Sequence, residues 1–194
     1  MSVEAPTRTE ASAEVLVVVA HPALERSRAN RVLMRAAQAA PGVSVRDLYE
    51  LYPDFSIDVT AEQAALRRAS AVVLQYPLYW YAPPALLKEW LDLVWLHGFA
   101  YGRGGEALKG KRLLIACTTG GGAQAYDPKG MHGHPIELYL KPMHQTAVLC
   151  GMGWERPFVL HGAAVKSPAA LAAEAERYRK RLCSLSAKCT GAPK

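Results

Sequence analysis

Short apolar runs alternate along the chain with longer segments of helical period, the pattern of a parallel sheet covered by helices on both faces. The first run, Val15 to Ala20 (VLVVVA), reads as a buried strand, and a helix from about Ser27 to Ala40 follows, stopping at Pro41 and Gly42. A short second strand opens at Val43 (VSVRDL). A long connection from Tyr49 to Thr60 leads into a small helix, with Thr60 the expected N-cap and Gln63 at capping-box spacing. Strand three is Ala71 to Gln75 (AVVLQ). Helix three begins after Pro83 and Pro84 and runs through ALLKEWLDLVWL to a stop at His97 and Gly98. Strand four is RLLIACT from Arg112, helix four covers about Ile136 to Leu149, strand five about Pro157 to His161, and helix five about Pro168 to Ser184. The expected product is one α/β domain over residues 14–185, a doubly wound parallel sheet of five strands, with residues 1–13 and 186–194 as frayed tails.

At 194 residues with 51% apolar and 21% charged positions, the chain can bury a sizeable core, which excludes a disordered or fibrous protein. No stretch approaches the roughly 18 apolar residues of a membrane span. The first residues carry Glu4, Glu10 and Glu14 without an apolar run, so no signal peptide is expected and the cytoplasm is the expected compartment. Cys117, Cys150, Cys183 and Cys189 form no C-x-x-C pair and read as free thiols. No histidine has carboxylate or cysteine company at ligand spacing, so no metal site is expected. The net charge of +6 is concentrated near the C-terminus, in Arg177, Arg179, Lys180, Arg181, Lys188 and Lys194. It reads as a solvated helix face or as steering of an anionic cofactor. Without aromatics interleaved among these bases, nucleic-acid binding is not expected.

In such sheets ligands bind beyond the carboxyl ends of the strands where strand order reverses, so the loops after strands one, three and four are the candidate site. The first contains His21 and the segment Ser27, Arg28, Ala29, Asn30 at the start of helix one, where free amides and the positive end of the helix favour an anion. Ser27 serving only as an N-cap is the plainer reading of that loop alone. The third loop places Leu78, Tyr79, Trp80 and Tyr81 on a proline-braced turn suited to a flat, polar-edged ring. The fourth carries Thr118, Thr119, Gly120, Gly121 and Gly122, where the backbone can approach a ligand closely. Trp90 and Trp95 fall at helical spacing with Leu86, Leu87, Leu91 and Val94 and read as core or interface.

Together these loops resemble those of the flavodoxin-fold NAD(P)H:quinone oxidoreductases, in particular the Kef-type ancillary oxidoreductases of glutathione-regulated potassium-efflux antiporters. The resemblance spans about Val15 to Leu182 and rests on five segments: AHP with S-x-A-N at Ser27 to Asn30, LYxLYPDFxID from Leu48, QxPLYWYxxPxLLKxWxD from Gln75, HGFAYGxGG from His97, and TTGGG at Thr118. It implies the flavodoxin-like strand order 2-1-3-4-5. It also implies FMN, with FAD as the alternative, its phosphate at His21 and Ser27 to Asn30 and its ring against Leu78 to Tyr81 and Thr118 to Gly121. Tyr126 and His132, six residues apart, match a family pair beside the flavin that stabilises charge and returns a proton. His132 otherwise reads as a loop histidine bonded to backbone. Tyr101 matches an aromatic that reaches across the family's homodimer, while Arg103 replaces the second aromatic expected there, so both are candidates for the substrate pocket.

The implied activity is two-electron ping-pong transfer from NAD(P)H through the flavin to a quinone. The alternative is a regulatory ancillary subunit that docks on a potassium-efflux antiporter at the inner face of the cell membrane, with reductase activity secondary. A one-electron carrier is disfavoured by the basic charge and by Tyr126 and His132.

Overall fold

The computed structural model describes residues 14–190. Its strands are β1 (Glu14–Val19), β2 (Val43–Asp47), β3 (Ala69–Pro77), β4 (Arg112–Thr118), β5 (Gly153–Trp154) and β6 (Phe158–Leu160). The helices are α1 (Arg28–Gln38), α2 (Leu48–Leu51), α3 (Val59–Arg68), α4 (Ala85–Val94), α5 (Ile136–Tyr139), α6 (Lys141–Leu149) and α7 (Pro168–Thr190). All strand pairings are parallel, in the order β2-β1-β3-β4-β5, with β6 also pairing with β4. The order reverses between β1 and β3, which fixes the crevice discussed below.

Alternation along each strand feeds two cores. Val15, Val17 and Val19 of β1 pack with Ala71, Val73 and Leu114 under α1 and α7, around Leu33, Tyr178 and Leu182. Leu16 and Val18 point the other way with Val72, Leu74, Leu113 and Ile115, against Leu66, Leu87 and Trp90. Both faces being covered explains why the central strands are almost wholly apolar.

Several boundaries differ from expectation, most of them for a local reason. The α3 N-cap is Asp58, whose Oδ1 accepts from the Ala61 amide at 2.9 Å, so Thr60 lies inside the first turn. A carboxylate caps better than a threonine hydroxyl and adds favourable charge at the positive helix end. The connection after β2 holds a one-turn helix capped by Asp47, whose carboxylate accepts from the Tyr49 amide. Expected helix four is two helices, because Pro142 in the first turn of α6 has no N–H to continue the preceding turn. The expected strand five is β6, and a sixth, unexpected two-residue strand, β5, precedes it, set off by a segment ending in Pro157, which cannot donate to the ladder. The last helix continues to Thr190 rather than stopping near Ser184, which corrects the tail expected from residue 186. Leu182 and Leu185 are buried, Cys183 and Cys189 pack against the same core, and the Lys188 Nζ lies 3.2 Å from a Glu155 oxygen. The expectations for residues 1–13 and 191–194 lie outside the described residues.

The LYxLYPDFxID segment has a structural use. The Tyr52 hydroxyl donates to Glu62 Oε1 at 2.6 Å, and that fully buried carboxylate also accepts from Arg46 at 2.7 Å and from the Trp90 indole at 2.9 Å. One carboxylate thus ties β2, the following connection and α4 to α3.

Candidate functional site

The carboxyl ends of β1, β3, β4 and β6 open onto a cleft of about 850 Å³. His21, Ser27, Arg28, Ala29, Asn30, Leu78, Tyr79, Trp80, Thr118, Thr119 and Gly120 line it, all of them expected, together with Ala23, Arg26, Pro77, Ala163 and Ala164.

One end is the start of α1. Ser27 caps it, its Oγ accepting from the Asn30 amide at 3.2 Å, so the cap reading of Ser27 holds. The remaining first-turn amides have no acceptor within the helix and face the cleft as donors to an anion. Asn30 is buried, its amide donating to Thr118 Oγ1 at 2.9 Å, while its Oδ1 is buried without a partner. His21 Nδ1 accepts from the Ala23 amide at 3.1 Å, so the neutral ring carries its proton on Nε2 and donates to the Tyr79 hydroxyl at 3.3 Å. Burial holds this imidazole below its ordinary pKa, with Glu25 pulling weakly upward.

The other end is a two-residue hairpin. Tyr79 and Ala82 exchange backbone hydrogen bonds of 3.0 Å in both directions, leaving Trp80 and Tyr81 as the central pair with φ of 48° and 64°. Positive φ at both positions is the geometry that usually selects Asn-Gly. Two bulky aromatics there are strained by about 1–2 kcal/mol each, and Trp80 nevertheless projects its indole into solvent, 93% exposed. The wall between the ends is the glycine loop, where a Cβ added to Gly120 would meet nothing within 4 Å.

Behind this wall lies an aromatic cluster. Tyr126 and His132, the pair the family resemblance implied, have ring centroids 4.5 Å apart. The Tyr81 hydroxyl lies 3.2 Å from His132 Nδ1, Tyr81 stacks on Tyr139 at 4.9 Å, and the Tyr139 hydroxyl donates to the His132 carbonyl at 2.8 Å. Tyr81 therefore joins the cluster rather than the cleft wall, and so does Gly121, where an added Cβ would stand 3.2 Å from His132 Nε2. Burial pushes the Tyr126 hydroxyl above its ordinary pKa, opposed by the Thr119 hydroxyl beside it.

Tyr101 and Arg103 are not brought to this cleft. Tyr101 packs edge-on against His97 and lines a separate groove with Trp95, Leu96 and Met143, and Arg103 lies in the exposed loop beyond it. Ala163, Ala164 and Tyr139 carry no mark in the sequence, and His161 reads there as a packing or surface residue, although it ends a strand next to a glycine as the site loops after strands one, three and four do.

Comparison with known proteins adds three findings. The family described as "Flavodoxin-like fold" matches residues 13–182. The glutathione-regulated potassium-efflux system ancillary protein KefF of Klebsiella aerogenes is 47% identical over 168 residues, covering 87% of this chain and 94% of that protein. Among solved structures, general stress protein 14 of Treponema denticola in complex with FMN is 35% identical, with a TM-score of 0.84 over 89% of this chain and 99% of that one. An NADPH-quinone reductase from P. pentosaceus is 29% identical, with a TM-score of 0.79 over 87% and 96%.

Proposed function

Since the chain belongs to the flavodoxin-like fold family and is 47% identical to an ancillary protein of a glutathione-regulated potassium-efflux system, we propose that it is an FMN-dependent NAD(P)H:quinone oxidoreductase. The observation that carries this reading is the cleft at the strand reversal, with anion donors at one end and a strained aromatic hairpin at the other. The residues fit the cofactor. The open first turn of α1 suits a phosphate, the unpartnered Asn30 Oδ1 is an acceptor awaiting a donor, and the bare backbone at Gly120 leaves room for a ring edge. When bound, FMN supplies the capacity to accept a hydride from NAD(P)H and pass two electrons to a quinone.

The protein's share is placement and proton handling. Ser27 to Asn30 and His21 would hold the phosphate end of the cofactor, while Leu78 to Trp80 and Thr118 to Gly120 would hold its ring. Tyr126 and His132, in the cluster behind the glycine loop, would hold and return a proton with the cofactor bound, and Tyr81 would orient His132 through its Nδ1. The test is spectroscopic: reconstitution with FMN or FAD, anaerobic addition of NADPH, then a benzoquinone. Bleaching and recovery of the flavin band supports the enzyme, and uptake of FAD alone corrects the cofactor. Failure to bind any flavin sinks the assignment. His132→Gln is expected to slow flavin reduction about a hundredfold while leaving bound flavin in place; equal loss of both would make His132 structural.

A second reading, an ancillary subunit acting on a potassium-efflux antiporter, is favoured by the name of the 47% identical relative. Among the described residues no helix is long and apolar enough to cross a membrane, so sedimentation with membranes only when the antiporter is present separates this reading from the first. The two readings are compatible if docking leaves the cleft open.

A further inference from the structure

Beyond β6 the ladder does not stop at the last strand residue. The Thr119 amide donates to the Leu160 carbonyl at 3.0 Å, the Gly162 amide to Gly121 at 2.9 Å, and the Ala163 amide to Thr119 at 2.9 Å. His161 sits inside this stitching, and its neighbour Gly162 takes the left-handed φ of 64° that lets the chain turn back. Its ring lies 5.2 Å from that of Tyr126, on which His132 packs at 4.5 Å, so Tyr126 contacts two imidazoles. His161 Nδ1 is 3.0 Å from Thr119 Oγ1, and that hydroxyl is also 2.8 Å from the Gly121 carbonyl.

These distances fix a tautomer. A carbonyl only accepts, so Thr119 spends its single hydroxyl hydrogen on Gly121, and its two lone pairs accept from His161 and from the Tyr126 hydroxyl beside it. We propose that His161 is a positioning residue of the cleft: neutral, with its proton on Nδ1, it locks the Thr119 hydroxyl and thereby holds the glycine loop and Tyr126 in place. Its consequence for catalysis rests on the function proposed above; the tautomer and the lock do not. Burial favours the neutral ring, while Glu137 of α5, Lys166 before α7 and Glu174 of α7 act on it with opposing signs.

The tautomer is read from two-bond proton–nitrogen NMR correlations of the full-length labelled protein, with His161 assigned by loss of its signals in His161→Asn. At about pH 7 the proposal expects Nδ1 protonated and Nε2 bare. A proton on Nε2, or on both nitrogens, overturns it. Asparagine places an amide N–H where Nδ1 stood, and phenylalanine keeps the ring but removes the donor. His161→Phe should slow NADPH reduction of bound FMN about tenfold, His161→Asn should recover most of that rate, and FMN affinity should change less than about threefold in either. Equal rates in all three proteins, or a rate loss that merely follows FMN loss, overturns the positioning role. If the wild-type protein takes up no flavin, the proposed function fails while the NMR result still decides the lock.

Discussion

Glu62 shows what one buried residue can carry. Its carboxylate is fully enclosed and is satisfied by Arg46, Tyr52 and Trp90 together, so its removal strands a guanidinium, a hydroxyl and an indole N–H at once. Glu62→Ala is expected to cost about 3–5 kcal/mol in urea unfolding; a loss below about 1 kcal/mol would mean these groups find other partners. His21 and His161 make a different statement, about pH. Burial holds both below the ordinary 6.5. As pH falls through 6.5 the unfolded chain takes up protons that the folded chain refuses, so stability falls on acidification until the folded pKa values are passed. Unfolding midpoints should therefore drop between about pH 7 and pH 5, and the double variant His21→Asn, His161→Asn should flatten that slope. An unchanged slope would assign the effect to other groups.

At the level of elements, the hairpin between β3 and α4 trades stability for presentation. Trp80 makes almost no packing contact, yet it occupies a position with φ of 48° where asparagine would be relaxed. Trp80→Asn is expected to stabilise the flavin-free protein by about 1 kcal/mol in thermal or urea unfolding. The same variant should weaken FMN binding by fluorescence titration. A substitution that destabilises the protein and leaves flavin affinity intact would show that the turn serves the fold and not the cleft. The hairpin's residues were legible as a site from their composition and bracketing prolines. Its left-handed backbone was not, because nothing in Trp-Tyr calls for positive φ; the two reciprocal bonds between Tyr79 and Ala82 impose it.

For the molecule as a whole, α4 and α6 leave an apolar surface that one copy does not cover. Val148 and Leu149 are 55% and 60% exposed, beside a groove lined by Leu91, Trp95, Leu96, Tyr101 and Met143. A homodimer through this face is the expected assembly, and it would account for Tyr101 standing away from its own cleft. Leu149→Arg should convert a dimer to a monomer in sedimentation velocity while the fold, by circular dichroism, is unchanged. A protein that is monomeric before substitution would leave Tyr101 without a role at the site. At the C-terminal half of α7, Glu155 gathers Arg112, Arg181 and Lys188. Burial alone would raise its pKa, but hydrogen bonds from Lys188 and Arg181 hold it below the ordinary carboxylate value.

What the sequence determined by itself depends on neighbours along the chain, although not every local feature was legible: Asp58 rather than Thr60 caps α3 through Ala61, only three residues on. Runs such as VLVVVA and AVVLQ demand burial on both faces, and that demand, with helical segments between them, defines the sheet. Ser27 caps α1 because its partner is three residues away, and Tyr79, Trp80 and Gly120 reach the cleft because their loops directly follow a strand. The tertiary structure decided what depends on groups distant in sequence. Glu62 gathers Arg46 and Trp90, α7 runs on to Thr190 where Lys188 reaches Glu155, and Thr119 meets His161 across 42 positions. Hydrophobic periodicity reports which face of a segment is buried; it carries no record of which buried donor faces which acceptor, because that pairing is set only when the elements pack.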